Sequence, residues 1–486
     1  MAANFWKLDH PPERLAVVDV QGGRERTYVE LRADVEREAS AIRSELAAGK
    51  AKPSGKSLTM LLAQNRYESL VAYLAALNSD DALVLVDATL NRDLLLRLIE
   101  TYRPDRICGS STSAENAFPG YGKREDREIG ISIWENANPE SRGIHASLAL
   151  LLNTSGSTGS PKLVRLSGEN LQANAASIAS YLRLTADEKP ITSLPMAYSY
   201  GLSVINSHLL AGATLVLSEH GVLRREFWDS VDKYGCTSIA GVPYTYQMLL
   251  QTGLLKKRGA TLRTVTQAGG ALAEPYVRQM HDLAKERGFK FFVMYGQTEA
   301  TARISYLPFE NLTAKVGSIG VAIPGGSLRV DAETSELIYS GPNVMMGYAE
   351  SRDDLAKGDE LLGVLKTGDL ARQDADGFFY VTGRMKRFLK MFGKRFNLDE
   401  VEQIVQGRFG FPTACFGRDD LLMLAIETNN ENADAVIAML SDMFGVPTNA
   451  VRVQAVGELP RTIRGKIDYQ ALVTRNPSDL AASQVR

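Results

Sequence analysis

Cysteine is scarce in this chain: three residues, Cys108, Cys236 and Cys415, lie far apart among 486 positions. They form neither a disulfide framework nor a ligand cluster, which excludes a small stapled fold and fits a reducing compartment. Histidine is nearly as rare. His10, His145, His208, His220 and His281 have no metal-ligand spacing. Long apolar runs are missing, and none approaches the ~20 residues of a spanning helix. Met1 to Asp19 is charged, is interrupted by Pro11 and Pro12, and lacks the apolar stretch of a signal peptide. Charge of one sign is missing as well: 55 Lys and Arg face 57 Asp and Glu, a net charge of −2. That balance leaves no global footprint for nucleic acid or an anionic membrane. No repeat with a period of 20–50 residues stands out. With 44% hydrophobic and 23% charged residues, the chain is expected to be soluble and cytoplasmic, with no membrane span and no nucleic-acid partner. Its length allows about three domains at roughly 100–200 residues each.

What is present alternates. Arg32 to Leu46 carries apolar positions at helical spacing. Ala82–Val86 and Leu148–Leu152 are short apolar runs that suit buried strands. Glu274 to Arg287 predicts a helix, with Pro275 near its start and Gly288 at its end, and Phe291–Met294 reads as the next strand. Such alternation predicts a large α/β region. Near residue 365 the pattern changes. Asp376-Gly377 marks a hairpin between Leu365–Arg372 and Phe378–Thr382. A second hairpin is centred on Gly393. A helix at Asp399–Gln406, strands at Thr413–Phe416 and Leu422–Ile426, and a helix at Ala433–Phe444 follow. The expected organisation is an N-terminal α/β region of several subdomains, 1–385, and a small mobile α+β domain, 386–486. The joint at Gly383-Arg384-Met385-Lys386 has no Pro-rich linker, which suits a hinge.

Four segments carry chemistry. Thr154-Ser155-Gly156-Ser157-Thr158-Gly159-Ser160-Pro161-Lys162 sits between two strand-like runs. Its glycines let successive N–H groups face an anion, and its hydroxyls and lysine add donors for phosphate oxygens. A plain Ser/Gly surface loop is the alternative. A Walker A loop is excluded, because Pro161 precedes Lys162 and Leu163 follows it. Tyr295-Gly296-Gln297-Thr298-Glu299-Ala300 follows a strand end, where ligand sites of open α/β sheets lie. Glu299 there is either a solvated acid or a Mg²⁺ ligand. Asp369, in Thr367-Gly368-Asp369-Leu370, is either a turn former or an acceptor for ribose hydroxyls. Lys466, in Arg461-Thr462-Ile463-Arg464-Gly465-Lys466, is either solvated or placed to neutralise a transferring phosphoryl group.

In order and spacing these four segments resemble the core motifs of the acyl-adenylate-forming superfamily. That superfamily includes acyl- and aryl-CoA synthetases, peptide-synthetase adenylation domains and luciferase. Ala268-Gly269-Gly270-Ala271 is similar to its adenine-side segment, Gly383-Arg384-Met385-Lys386 to its hinge motif, and Tyr28-Val29-Glu30-Leu31 to an early signature. The resemblance covers almost the whole chain. It implies an ATP-dependent ligase with two half-reactions: a carboxylate attacks the α-phosphorus of MgATP, releasing pyrophosphate, and a thiol then takes the acyl group. The thiol is CoA or a carrier protein's phosphopantetheine. The alternative is a stand-alone adenylation enzyme for an amino or hydroxy acid, loading an acyl or peptidyl carrier protein in trans.

The resemblance also implies roles. Thr154, Ser155, Gly156, Ser157, Thr158, Gly159 and Lys162 would hold the β- and γ-phosphates, Thr298 would touch phosphate, and Glu299 would hold Mg²⁺. Gly270, Ala271, Tyr295 and Gly296 would border the adenine, and Asp369 and Arg384 the ribose. Lys466 would bridge carboxylate and α-phosphate, Lys386 would be the hinge, and Gly393 would line the thiol tunnel. Tyr198, Tyr200, Val242, Pro243, Gly269, Met294 and Arg303 would form the acid pocket, with Arg303 either in a structural salt bridge or facing a second carboxylate or polar group of the substrate. Gly168 stands where many members place His. No acidic residue occurs between Pro195 and Leu217, which argues against an α-amino acid substrate.

Overall fold

The computed structural model describes residues 4–47, 56–110, 118–126, 130–139, 143–153, 162–385, 387–391, 394–418, 420–428, 432–444, 446–462 and 465–476. The chain divides into two compact units, Met1–Ser327 with Tyr339–Leu365, and Leu328–Ile338 with Lys366–Arg486. The sequence-based boundary at 385/386 therefore falls inside the second unit. The reason is local: the Thr367 hydroxyl donates to the Leu337 carbonyl at 2.7 Å, and the Gly368 N–H donates to Glu336 at 2.9 Å. These bonds tie the returning segment to the residues that follow Lys366.

The first unit is built on an eight-stranded sheet. Its centre is parallel, with Arg106–Ser110, Leu58–Ala63, Ala82–Asp87 and Leu148–Asn153 side by side. Leu58, Met60 and Leu62 enter one core, while Leu61 and Ala63 enter the other. Both faces are covered, so these strands read as unbroken apolar runs rather than alternating ones. The helix Tyr67–Asn78 is buried nearly all round on one side. On the other, Arg92–Tyr102 buries Leu95, Leu98, Ile99 and Tyr102. Leu163–Ser167 and Gly347–Ala349 extend the sheet antiparallel beyond Leu148–Asn153.

A five-stranded sheet lies in the same unit. Ser238–Gly241, Thr264–Gln267 and Lys290–Tyr295 run parallel, and Ser305–Leu307 and Val321–Ala322 continue antiparallel. The crossover helix Glu274–Arg287 forms where expected. It has Pro275 in its first turn, Lys285 and Arg287 in its last, and Val277, Met280, Leu283 and Ala284 turned inward. Among the described residues no helix is long and apolar enough to cross a membrane.

The second unit carries the hairpin Val364–Gln373/Phe379–Arg384 and the short hairpin Phe388–Met391/Lys394–Asn397. A three-stranded sheet follows, with Leu421–Glu427 antiparallel to Thr413–Arg418 and parallel to Val451–Val456. The parallel pair is joined through the helix Ala433–Phe444, as a same-sheet crossover requires. A buried polar cluster ties these elements. The Arg387 guanidinium donates to Glu402 at 2.8 Å and to the Cys415 carbonyl at 2.8 Å, pairs with Asp399, and lies 4.0 Å over the Tyr469 ring.

Candidate active site

Three loops converge at the carboxyl ends of adjacent parallel strands, the usual position for ligands in such sheets. Val242 follows Ser238–Gly241, Gly269 to Ala271 follow Thr264–Gln267, and the Tyr295–Glu299 turn follows Lys290–Tyr295. Gly270 and Ala271 are exposed, and the Gly270 carbonyl is fixed by the buried Gln267 amide at 2.8 Å. Gln297 donates to the Tyr295 hydroxyl at 3.1 Å.

The turn that carries Thr298 and Glu299 is tightly held. A side chain at Gly296 would put its Cβ 1.8 Å from the Ala302 carbonyl oxygen, so only glycine fits. Thr301 has a φ of 62°, a conformation that a β-branched residue adopts only under constraint. Its hydroxyl donates to the Asn343 carbonyl at 2.7 Å. The Asn343 amide donates to the carbonyls of Ala300 at 2.9 Å and Arg303 at 2.8 Å, and its oxygen accepts from Tyr339 at 2.7 Å. One buried amide thus locks both ends of the turn. The Thr298 hydroxyl lies 3.2 Å from that of Ser199, at the start of the helix Ser199–Leu210.

Lys162 and Glu299 are brought together by a residue that sequence reasoning missed, Tyr348. Its strand pairs with Leu163–Ser167, setting Tyr348 opposite Val164. The buried Arg165 donates to the Tyr348 carbonyl at 3.0 Å and fixes the backbone. The Lys162 ammonium sits 3.7 Å from the centre of the Tyr348 ring, a close cation–π contact. The Tyr348 hydroxyl donates to Glu299 Oε1 at 3.0 Å. Burial, and next the Glu299 charge, push the Tyr348 phenol up, so it remains a donor. Lys162 also lies 3.8 Å from the exposed Glu350.

Several residues expected to form the acid pocket lie in contact with one another. A Cβ at Gly269 would stand 2.6 Å from the Tyr198 hydroxyl and 3.3 Å from Val242. Tyr198 meets Tyr200 edge-on at 6.2 Å, and Tyr200 donates to the Thr266 carbonyl at 2.7 Å. Arg303 lies over the Tyr200 ring at 4.0 Å. Tyr181 donates to the Met294 sulfur at 2.9 Å and stacks on Tyr306 at 4.3 Å. The salt-bridge alternative for Arg303 does not hold: among the described residues no carboxylate pairs with it.

In the second unit, Asp369 and Arg384 stand opposite each other across the hairpin, with Arg384 Nε 3.1 Å from Asp369 Oδ1. Asp369 is buried and Arg384 largely exposed. Lys466 is half-buried in a turn closed by Thr462 N–H to the Lys466 carbonyl, 2.8 Å, and Gly465 N–H to the Thr462 carbonyl, 2.8 Å. Thr154, Ser155, Gly156, Ser157, Thr158, Gly159, Lys386 and Gly393 lie outside the described residues. Asn153 stands opposite Leu163 in neighbouring strands, so Lys162 lies immediately before the start of the second of them.

The donor set suits Mg²⁺. Glu299 offers one carboxylate, and among the described residues no three His, Cys, Asp or Glu cluster. Mg²⁺ is commonly held by one or two carboxylates plus substrate phosphates and water.

The chain is similar to several known proteins. An indoleacetate–CoA ligase of Aromatoleum aromaticum is 29% identical over 351 residues, 67% of this chain and 67% of the relative. A 2-succinylbenzoate–CoA ligase of Bacillus subtilis is 27% identical over 403 residues, 81% of this chain and 80% of the relative. ATP-bound MatB from Rhodopseudomonas palustris shares the fold, with a TM-score of 0.76 at 22% identity, covering 98% of this chain and 99% of that one. The family described as AMP-binding enzyme matches residues 5–349. That span holds Lys162, Tyr348, the Thr298–Glu299 turn and the residues expected to line the acid pocket, and on it the chain belongs to the AMP-binding enzyme family.

Proposed function

We propose that the protein is an AMP-forming acid–CoA ligase. The observation that carries this is the bridge from Lys162 through Tyr348 to Glu299, which sets an ammonium suited to phosphate beside a carboxylate suited to a metal ion. The first obstacle is crowded negative charge, since an anion must attack a polyanion. Lys162 and the segment before it would grip the β- and γ-phosphates. Glu299 would hold Mg²⁺, which supplies charge neutralisation and phosphate orientation. Thr298 would donate to phosphate, Tyr295, Gly296, Gly270 and Ala271 would border the adenine, and Asp369 and Arg384 would hold the ribose. The substrate carboxylate oxygen forms a bond to the α-phosphorus as the bond to pyrophosphate breaks. Lys466 would neutralise the charge that grows there. In the second step a thiolate attacks the acyl carbon, and AMP leaves with the bonding electrons.

Coenzyme A is proposed as the acceptor because the relatives carry CoA in their names; the carrier-protein reading finds no support there. Lys386 is proposed as the hinge and Gly393 as part of the thiol path, with residues 386–486 as the moving domain. The relatives' acids, indoleacetate and 2-succinylbenzoate, share little beyond the carboxylate to be activated.

Product analysis tests the activity: AMP and pyrophosphate are expected, and ADP would exclude it. The division of labour is tested by Lys466→Ala. It should abolish acid-dependent pyrophosphate release, by about 10²-fold or more, yet leave thioester formation from a supplied acyl-adenylate. Equal loss of both half-reactions would remove Lys466 from its assigned role.

A further inference from the structure

Arg303 is 2% exposed, and among the described residues no acid pairs with it. Removing a guanidinium from water costs several kcal/mol unless something replaces the hydration. One face is compensated by the Tyr200 ring at 4.0 Å. The donors around the edge are another matter. Among the described residues Arg303 Nε is buried without an acceptor. Nearby, the Asn174 amide donates to the Arg303 carbonyl at 3.4 Å, while Asn174 Oδ1 has no partner of its own. One turn along the same helix the Ser177 hydroxyl is also buried and unpartnered. Tyr181, one turn further, has its phenol pushed up to about 12 by burial, and the charge of Arg303 and a hydrogen bond from it pull against that rise, so Tyr181 occupies one donor of the guanidinium while Nε stays open. Orphaned polar atoms are rare in a finished core, and Arg303 is among the residues proposed for the acid pocket.

We infer that Arg303 is the receptor for a second anionic group on the substrate, so that the acid is a dicarboxylate or a sulfonated carboxylate. The inference rests on the ligase reading above. One carboxylate of the substrate is activated. The other anion, carboxylate or sulfonate, accepts from the Arg303 fork, whose planar donors match such oxygens in pairs. Tyr198 and Tyr200 line the path between, so the spacer is apolar. A neutral acid of the same length would leave the buried cation unpaired, and sites with buried polar groups reject such analogues strongly.

The test compares kcat/KM for pyrophosphate release with succinate, glutarate, adipate and terephthalate against their monomethyl esters. 3-Sulfopropanoate separates sulfonate from carboxylate, and benzoate and octanoate serve as simple monoacids. The wild type should prefer at least one doubly charged acid over its neutral partner by ~100-fold or more. In Arg303→Met that ratio should fall toward one, chiefly through KM. Arg303→Lys, which keeps the charge without the fork, should fall between. Release from neutral acids as fast as from their charged partners would overturn the inference and leave the ligase reading standing. An equal loss on both members of a pair in Arg303→Met would also overturn it, since Arg303 would then serve the reacting carboxylate or the fold. AMP from none of these acids would remove both readings. If Arg303→Met does not fold, the wild-type ratio and Arg303→Lys decide.

Discussion

Tyr348 performs two tasks with one side chain, and they can be separated. Its ring faces Lys162 and its hydroxyl faces Glu299. Tyr348→Phe keeps the ring and deletes the hydroxyl. A hydrogen bond to a charged group contributes about 1.5–3 kcal/mol, so pyrophosphate release should fall ~10-fold or more at fixed Mg²⁺. Half-saturation by Mg²⁺ should shift while the melting temperature changes little. Tyr348→Leu deletes both contacts and should also raise KM for ATP. Equal Mg²⁺ profiles for wild type and Tyr348→Phe would show that the bond to Glu299 has no part in the reaction. Lys162, Glu299 and Lys466 were singled out as candidates in the sequence because phosphate chemistry demands those residue types in short, ordered motifs. Tyr348 was not, because Gly347-Tyr348 follows a run of apolar residues that reads as core, and its acceptor lies 49 positions away. Arg303 was noticed in the sequence, but its lack of a carboxylate partner is a fact of three dimensions.

At the scale of elements, the second unit depends on one buried cluster. Arg387 begins just after the proposed hinge and joins the helix Leu398–Phe409, through Asp399 and Glu402, to Tyr469 on the last helix. Glu402 also accepts from the Cys415 N–H at 2.6 Å and from the Tyr469 hydroxyl at 3.0 Å. Burial pushes the Glu402 and Asp399 carboxyls up, with Arg387 pulling both back. Arg387→Leu would strand two acids in a low dielectric, a loss of about 3–5 kcal/mol. Arg387→Lys should recover little, because a point charge cannot serve Glu402, Asp399 and the Cys415 carbonyl together. Urea unfolding followed by proteolysis should show the residues after 387 opening first in Arg387→Leu. Unchanged protease resistance there would contradict the assigned role. Sequence patterns placed these helices and strands well, since each has its own turn signals and apolar period. The cluster stayed hidden because charged residues at helical spacing read equally as a solvated face. The strand segment Leu328–Ile338 was missed as part of the second unit for a related reason: its partners after Lys366 lie across an intervening segment of the first unit.

Two buried groups in the first unit set opposite pH slopes for the whole molecule. His208 is fully enclosed on the helix Ser199–Leu210, where burial pushes its imidazole down to about 4 and its hydrogen bond to the Val204 carbonyl resists. Asp81, at the amino end of the strand Ala82–Asp87, is pushed up to about 6 by burial, against the pull of Arg106. Between pH 4 and 6.5 the unfolded chain holds a proton on His208 that the fold refuses, so raising the pH stabilises the fold. Between about pH 4 and 6 the fold holds a proton on Asp81 that the unfolded chain has released, so raising the pH destabilises it. Each effect amounts to roughly 3 kcal/mol across its window, and in the shared window they largely cancel. From pH 4.5 to 6 the contributions of these two groups to the wild type's stability should therefore nearly offset each other. His208→Leu removes one slope, and its midpoint should fall as the pH rises through that range while exceeding the wild type at pH 4.5. Asp81→Asn removes the other, and its midpoint should climb over the same interval. Melting curves of the three proteins, taken in matched buffers at constant ionic strength, give the answer directly. Parallel profiles would mean that neither group titrates differently in the fold and the unfolded chain. Neither residue announces itself in the sequence, where Asp81 reads as a turn acid beside Asp80 and His208 as one of five scattered histidines. Only the packing of the sheet and of the helix around them turns two ordinary side chains into a balanced pair.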